Sequence, residues 1–417
     1  MATIAAYTSP SLGHALPFAG VLRELRRRGH RIVLRTLAAE VGRMRDLGFE
    51  ADAIAADVAA VEFDDWHARN VLENYRRMCD VFIERGRREA PDFGELIERA
   101  KPDLVLTDVN TWGAAAVAER SGLPWVSLAT YPPAVRSAGW PPYGPGLAPI
   151  AGPLGRVRDG LIRRTVYDAA MRTTTPLLNA LRAEVAGLPP IASYDAMVRR
   201  APVTLVTTAE PLEYRHTDWS PDLELVGETA WEAPAPAPAW LSEVRRPIVL
   251  VATATDYQGD TSIVRAALAG LEYEPVTVVV TMAHSARLGL QLPANARIER
   301  FLPHGPILDR AAVAITHGGL GVTQKALARG VPVVVVPFGR DQFEVAARVE
   351  HAGAGVRVPR ARLTPVTMRD AVRRARGMRD GVRAVAAGLA AAGGAPRAAD
   401  LIEQQLATQT AARAPEA

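Results

Sequence analysis

The chain has 417 residues, 48% of them hydrophobic and 23% charged, a globular composition long enough for two or three hydrophobic cores. Its 49 basic and 45 acidic residues leave a net charge of +4 without any basic block, which argues against a nucleic-acid surface. The single cysteine, Cys79, excludes an intrachain disulfide framework and fits a reducing compartment.

In chain order, "TIAAYT" predicts a buried strand and "HALPFAGVLRELRRRG" a helix stopped by Gly29, followed by the strand "RIVLRTL". "DLVLTDV", the helix "WGAAAVAERSG", "PWVSLAT" and "VTLVTT" complete a first set. A second set runs through "PIVLVATA", a helix near 261–270, "VTVVVTM", "AVAITH", "KALARG", "PVVVVPF" and "FEVAARVEHAG". Short apolar strands alternating with helices imply parallel sheets with right-handed crossovers, here two doubly wound α/β domains. Between the sets, "WEAPAPAPAW" reads as an extended, semi-rigid spacer that sets the domains across a cleft.

The expected division is an N-terminal domain over 1–222, a Pro/Ala-rich linker over 223–245 and a C-terminal domain over 246–390. A helix over 391–408 is expected to pack back toward the first domain, and 409–417 to form a disordered tail. The Pro/Gly-rich run 132–156 reads as a long functional surface loop. No signal h-region or ~20-residue apolar span is visible, so a soluble, cytoplasmic protein without stable membrane insertion is expected.

The most informative stretch is "AVAITHGGLGVTQKAL". A strand ends in His317, and Gly318, Gly319 and Gly321 lead into a helix. Such a helix start offers unpaired N–H groups and a positive dipole end, an anion site suited to phosphate. His317 can add a hydrogen bond. Asp341 and Gln342 follow the next strand and return to the same edge, where a carboxylate beside an amide suits sugar hydroxyls. Two other readings stand: glycines serving tight packing alone, or a dinucleotide site with Gly319-x-Gly321 and Asp341. The second leaves His317 unexplained and has Gln324 where the third glycine belongs.

These residues resemble the nucleotide-sugar-dependent glycosyltransferases of the GT-B fold, in the bacterial branch that decorates natural products. The resemblance implies that His317, Gly318, Gly319 and Gly321 bind the donor diphosphate, with Val322 and Thr323 at helix-start positions also facing it. Asp341 and Gln342 would hold the donor sugar. "RFLPHGPIL" is similar to the family's aromatic-x-Pro-Gln segment, which puts Phe301 near the nucleobase and His304 in place of Gln. "ATATDYQGD" is similar to the loop that brings Thr255 near the phosphates. One position departs: where the family has a ribose-binding glutamate stands Lys325, which has donors and no acceptor. The choice between UDP- and dTDP-linked donors is left open by that exchange.

In the first half, "TSPSLGHALPF" places His14 after the first strand, with Gly13 leaving room for a ligand. On its own such a histidine is a structural or helix-start residue; the resemblance to a Gly-His-x-x-Pro element makes it the catalytic base. Neutral histidine can take a proton near pH 7 when an acceptor orients its other nitrogen. Asp108, ending "DLVLTD", is the expected orienting carboxylate, and capping of the following helix is its alternative role. Trp66, Tyr75, Met78, Trp112, Tyr131 and Trp140 are candidates for an apolar acceptor pocket.

The expected activity is inverting transfer of a hexose from a nucleoside-diphosphate sugar to a small-molecule hydroxyl. No cofactor and no metal are expected, since the sequence has no Asp-x-Asp pair or zinc spacing. The partners are the donor and the apolar acceptor, with homodimerisation left open. A non-catalytic auxiliary protein of the same fold and a sugar-nucleotide epimerase are the alternatives.

Overall fold

The computed structural model describes residues 1–68, 71–219, 221–254, 260–282 and 292–413, with backbone only at 66, 71 and 409–413. Seven strands form the first sheet: β1 (Thr3–Tyr7), β2 (Arg31–Thr36), β3 (Glu50–Ala53), β4 (Leu104–Asp108), β5 (Trp125–Ala129), β6 (Val203–Val206) and β7 (Leu223–Leu225). They lie in the order β3-β2-β1-β4-β5-β6-β7. The second sheet contains β8 (Ile248–Ala252), β9 (Thr277–Thr281), β10 (Ala296–Glu299), β11 (Ala311–Thr316), β12 (Val333–Val335) and β13 (Gly355–Arg357), ordered β10-β9-β8-β11-β12-β13. Neighbouring strands are parallel throughout, for example Ile4 beside Leu104 and Leu250 beside Ala314.

Helices cover both faces, which is why the strands read as unbroken apolar runs: Ile248–Ala252 is buried at every position. Strand order reverses at β1/β4 in one sheet and at β8/β11 in the other. Such switch points open crevices at the carboxyl ends of the strands. Every candidate catalytic or sugar-binding residue lies at or beyond the carboxyl end of a strand: Asp108 ends β4, His14 follows β1, and Asp341 and Gln342 follow β12.

Strand β7 extends the first sheet to Leu225, three residues into the span read as linker. The C-terminal helix, Gly394–Arg413, runs beyond the expected boundary at 408; residues 414–417 of the expected tail lie outside the described residues. Its Ala398, Ala399, Leu401 and Ile402 enter a core with Phe18, Leu22 and Leu25 of α1 (Leu12–Arg27). Arg28 then ties Asp400 and Glu403 at 2.7 Å each.

The run 132–156 differs from the expected surface loop. It straps one domain to the other: Gly144 and Gly146 donate their N–H groups to Glu344 Oε1, both at 2.8 Å, and Arg357 donates to Gly146 O. Gly146 has φ 59° and a Cβ there would lie 2.2 Å from Phe343 O, so only glycine permits the approach. Beneath it, Arg348 joins Glu213 (2.7 Å) and Glu344 (2.8 Å), all three buried. Gln324 donates to Thr207 O at 2.7 Å across the same seam. No described helix is long and apolar enough to cross a membrane.

Candidate active site

His14 lies in the first turn of α1, immediately beyond β1. Its Nδ1 is 2.6 Å from Asp108 Oδ2 at the end of β4, and Thr130 Oγ1 lies 3.0 Å from the same nitrogen. The His14 side chain is 16% exposed and that of Asp108 not at all. An ionised carboxylate only accepts, so the Nδ1 proton points at Asp108 and Nε2 presents a lone pair outward. Asn110 Nδ2 stands 3.4 Å from Nε2, and Tyr131 Oη donates to Asn110 Oδ1. The Tyr131 ring meets the imidazole edge-on at 6.1 Å. Asp108 also accepts from Asn110 N at 2.8 Å, while Thr111 is the N-cap residue of the next helix, Trp112–Ser121. The carboxylate therefore shapes a turn with one oxygen and orients the histidine with the other. Thr130 and Asn110 are not among the sequence candidates for this site; Asn110 follows the end of β4, which lies beside β1, and Thr130 follows β5, one strand further out, the only signal available.

Gly13 is exposed, and a Cβ there would meet nothing closer than Ser11 Oγ at 3.9 Å, so the space beside the histidine is open. Tyr75 and Met78, on the helix Val71–Ala100, are half-buried against the same aromatic core as Tyr131. Trp112 differs from expectation: it is 2% exposed and packed on Phe82 and Tyr194, a core residue rather than a pocket wall. Trp140 is also committed elsewhere, stacked on Tyr214 at 4.4 Å and bonded to Arg215 O at 3.0 Å, where it fastens the strap. The side chain of Trp66 and all of Thr255 lie outside the described residues.

In the facing domain, β11 ends at Thr316, His317 follows it directly, and the helix Leu320–Ala328 begins after Gly319. Gly318 has φ +99°, and a Cβ on Gly319 would sit 2.6 Å from His317 Nε2, so the imidazole lies directly over the glycine. A Cβ on Gly321 would meet nothing within 4 Å, which leaves the helix start open to an anion. Val322 is half-buried there. Thr323 corrects the expectation: its buried hydroxyl is 3.1 Å from Thr316 Oγ1 and faces inward, since packing of the helix on β11 sets its direction.

Phe301 is 73% exposed, an uncovered ring three residues before the short helix His304–Leu308. His304 Nε2 is 2.9 Å from Thr281 Oγ1, and burial together with the Lys325 charge pushes its pKa down to about 4. Lys325 Nζ lies 3.3 Å from Glu232 Oε1. That carboxylate, from the Pro/Ala-rich linker, also accepts from His304 N (2.8 Å) and Gly305 N (3.2 Å). Burial opposes its ionisation, but Lys325 and these N–H groups prevail and hold its pKa below the usual range. No motif announced Glu232.

Asp341 precedes the helix Gln342–His351, and burial raises its carboxyl to about 6, against the lowering effect of Arg340 and of His14 opposite. Gln342 is 2% exposed; its Oε1 accepts from Phe338 N (2.8 Å) and Gly339 N (3.3 Å). That oxygen shapes the turn instead of facing the cleft. Among the described residues, no group of three or more His, Cys, Asp or Glu side chains is gathered to hold a metal ion.

Two doubly wound domains, a glycine-rich helix start on one and an oriented histidine on the other are an arrangement suited to group transfer. Residues 264–407 match the family model of the erythromycin biosynthesis protein CIII-like C-terminal domain. The chain is 32% identical over 387 residues to the 4'-demethylrebeccamycin synthase of Lentzea aerocolonigenes, covering 88% of this chain and 90% of the relative. It is 25% identical to the oleandomycin glycosyltransferase of Streptomyces antibioticus, over 97% of this chain and 91% of that one. Solved structures of a kitacinnamycin glycosyltransferase and a calicheamicin glycosyltransferase superpose with TM-scores of 0.72 and 0.71, each at 23% identity. The first pairing covers 97% of this chain and 99% of the other; the second covers 98% of both. The chain belongs to the natural-product glycosyltransferases of the GT-B fold.

Proposed function

We propose that the enzyme is an inverting hexosyltransferase that moves a sugar from UDP or dTDP to a hydroxyl of an apolar natural-product acceptor. The observation that carries this is the His14–Asp108 pair at 2.6 Å, close enough to Asp341 of the other domain for the two side chains to interact electrostatically. His14 Nε2 takes the acceptor hydroxyl proton as the oxygen attacks the anomeric carbon. The bond from that carbon to the diphosphate oxygen breaks on the opposite face, and configuration inverts. Asp108 stabilises the imidazolium; His317 and the helix N–H groups receive the charge growing on the leaving diphosphate. Neither a metal nor a cofactor enters this scheme.

The nucleobase would cover Phe301, and the pentose would then lie beside Lys325. In this reading Glu232, held there by Lys325, supplies the carboxylate acceptor for the pentose that position 325 lacks. Asp341 binds donor hydroxyls. Tyr131, Tyr75 and Met78 line the acceptor side, which supports an apolar acceptor; relatives named for rebeccamycin and oleandomycin support one of natural-product type. The test is incubation with UDP- and dTDP-sugars and a panel of hydroxylated aglycones, read by mass spectrometry. Glycosylated product with release of the nucleoside diphosphate supports the reading; a donor isomerised without transfer would make the protein an epimerase instead.

A further inference from the structure

Arg340 is one of two non-glycine residues with positive φ among those described, at 55°. A bulky side chain in the left-handed region is strained and persists only when surroundings hold it. The hold comes from the other domain. Arg340 Nε and Nη2 form a fork onto both oxygens of Asp65, at 3.1 and 2.8 Å, with both side chains largely withdrawn from solvent. The guanidinium also lies 4.5 Å over the Phe63 ring. Asn74, near the start of the long helix Val71–Ala100, donates to Asp65 O at 2.8 Å and reaches Asp65 Oδ2 at 3.3 Å. Arg340 is the residue immediately before Asp341, in the turn that Gln342 braces from within.

We infer that Asp65 is a positioning residue for the donor sugar: gripping Arg340 across the cleft, it fixes the strained turn that presents Asp341. The turn has one brace in its own domain and one in the acceptor domain, so the sugar end of the donor site is complete only when the two domains meet in this arrangement. The nucleotide end has no such dependence on Asp65, because Phe301, His317 and Gly321 lie on other segments of the second domain. This rests on the assignment of Asp341 to the donor sugar.

The two ends are separated by titrating calorimetrically UDP, UDP-glucose, dTDP and dTDP-glucose into wild type, Asp65→Ala and Arg340→Gly. Glycine tolerates φ 55° without strain, so Arg340→Gly removes the grip without forcing the backbone. Loss of one charge-assisted contact's worth of ordering is expected to weaken the nucleotide-sugars about tenfold in both variants. The free diphosphates should change less than about twofold, and the double variant should be no worse than either single one. Equal weakening of diphosphate and nucleotide-sugar would make Asp65 a general structural residue and overturn the inference, as would unchanged nucleotide-sugar affinity. Wild type that binds none of the four ligands would refute the donor-site assignment itself, a separate outcome.

Discussion

Replacing Glu232 by Gln tests where nucleotide choice resides. The carboxylate already accepts from His304 N at 2.8 Å, Gly305 N at 3.2 Å and Lys325 Nζ at 3.3 Å, and its side chain is 25% exposed. It has room for one further donor, and a half-exposed hydrogen bond of that kind contributes about 1 kcal/mol, or about fivefold in affinity. UDP and 2'-deoxy-UDP differ only in the 2'-hydroxyl, so their dissociation constants isolate that contact from any effect of the thymine methyl. Wild type should prefer UDP about fivefold. Glu232→Gln keeps an oxygen for the two backbone N–H groups but loses the charge, and the preference should shrink toward parity. Equal binding of the two nucleotides by wild type, or an unchanged ratio in the variant, would refute the assignment of Glu232 to the pentose.

Three further outcomes are expected. Asp108→Asn leaves one acceptor oxygen where Asn110 N–H and His14 Nδ1–H need two, and removes the charge that supports the imidazolium, so kcat should fall by ~100-fold or more with the fold intact; normal turnover in steady-state kinetics would return Asp108 to its turn-forming role. Arg348→Met leaves Glu213 and Glu344 buried without their partner and should cost ~3–5 kcal/mol in urea denaturation; a loss below about 1 kcal/mol would show the seam to be dispensable. Asp341, raised from 3.8 to about 6 by burial, accepts sugar hydroxyls best when ionised, so donor affinity should fall as pH drops through about 6. The sign for stability is opposite. A carboxyl that holds its proton more tightly when folded favours folding increasingly as pH falls from about 6 to 3.8. Titrations of nucleotide-sugar binding in wild type and Asp341→Asn, the latter flat across that window, check the first half, and urea denaturation of the same two proteins from about pH 7 to about pH 4 checks the second.

The doubly wound sheets were legible because strands buried on both faces must be apolar at every position, as Val333–Val335 and Ile248–Ala252 are. The Gly318–Gly321 turn was legible because its chemistry is local: a histidine ring over Gly319 and a positive φ at Gly318 need those residues in that order. What pattern could not supply was direction and distance. Thr323 follows the same helix start as Gly321, yet its hydroxyl turns inward onto Thr316 because of packing. Trp112 and Trp140 have the same chemistry as a pocket aromatic and are spent on the core and on the strap. Contacts across the cleft were least visible of all. Asp65 and Arg340 are 275 positions apart, and Glu232 meets Lys325 from a linker whose composition announces only a spacer.

Whether His14 drives an inverting transfer is decided by the anomeric configuration of the product, measured alongside the turnover of His14→Ala. The prediction is a product of opposite anomeric configuration to the donor and a loss of ~100- to 10,000-fold in kcat for His14→Ala, with nucleotide affinity unchanged. A product that retains the donor configuration, or near wild-type turnover without the imidazole, would contradict it.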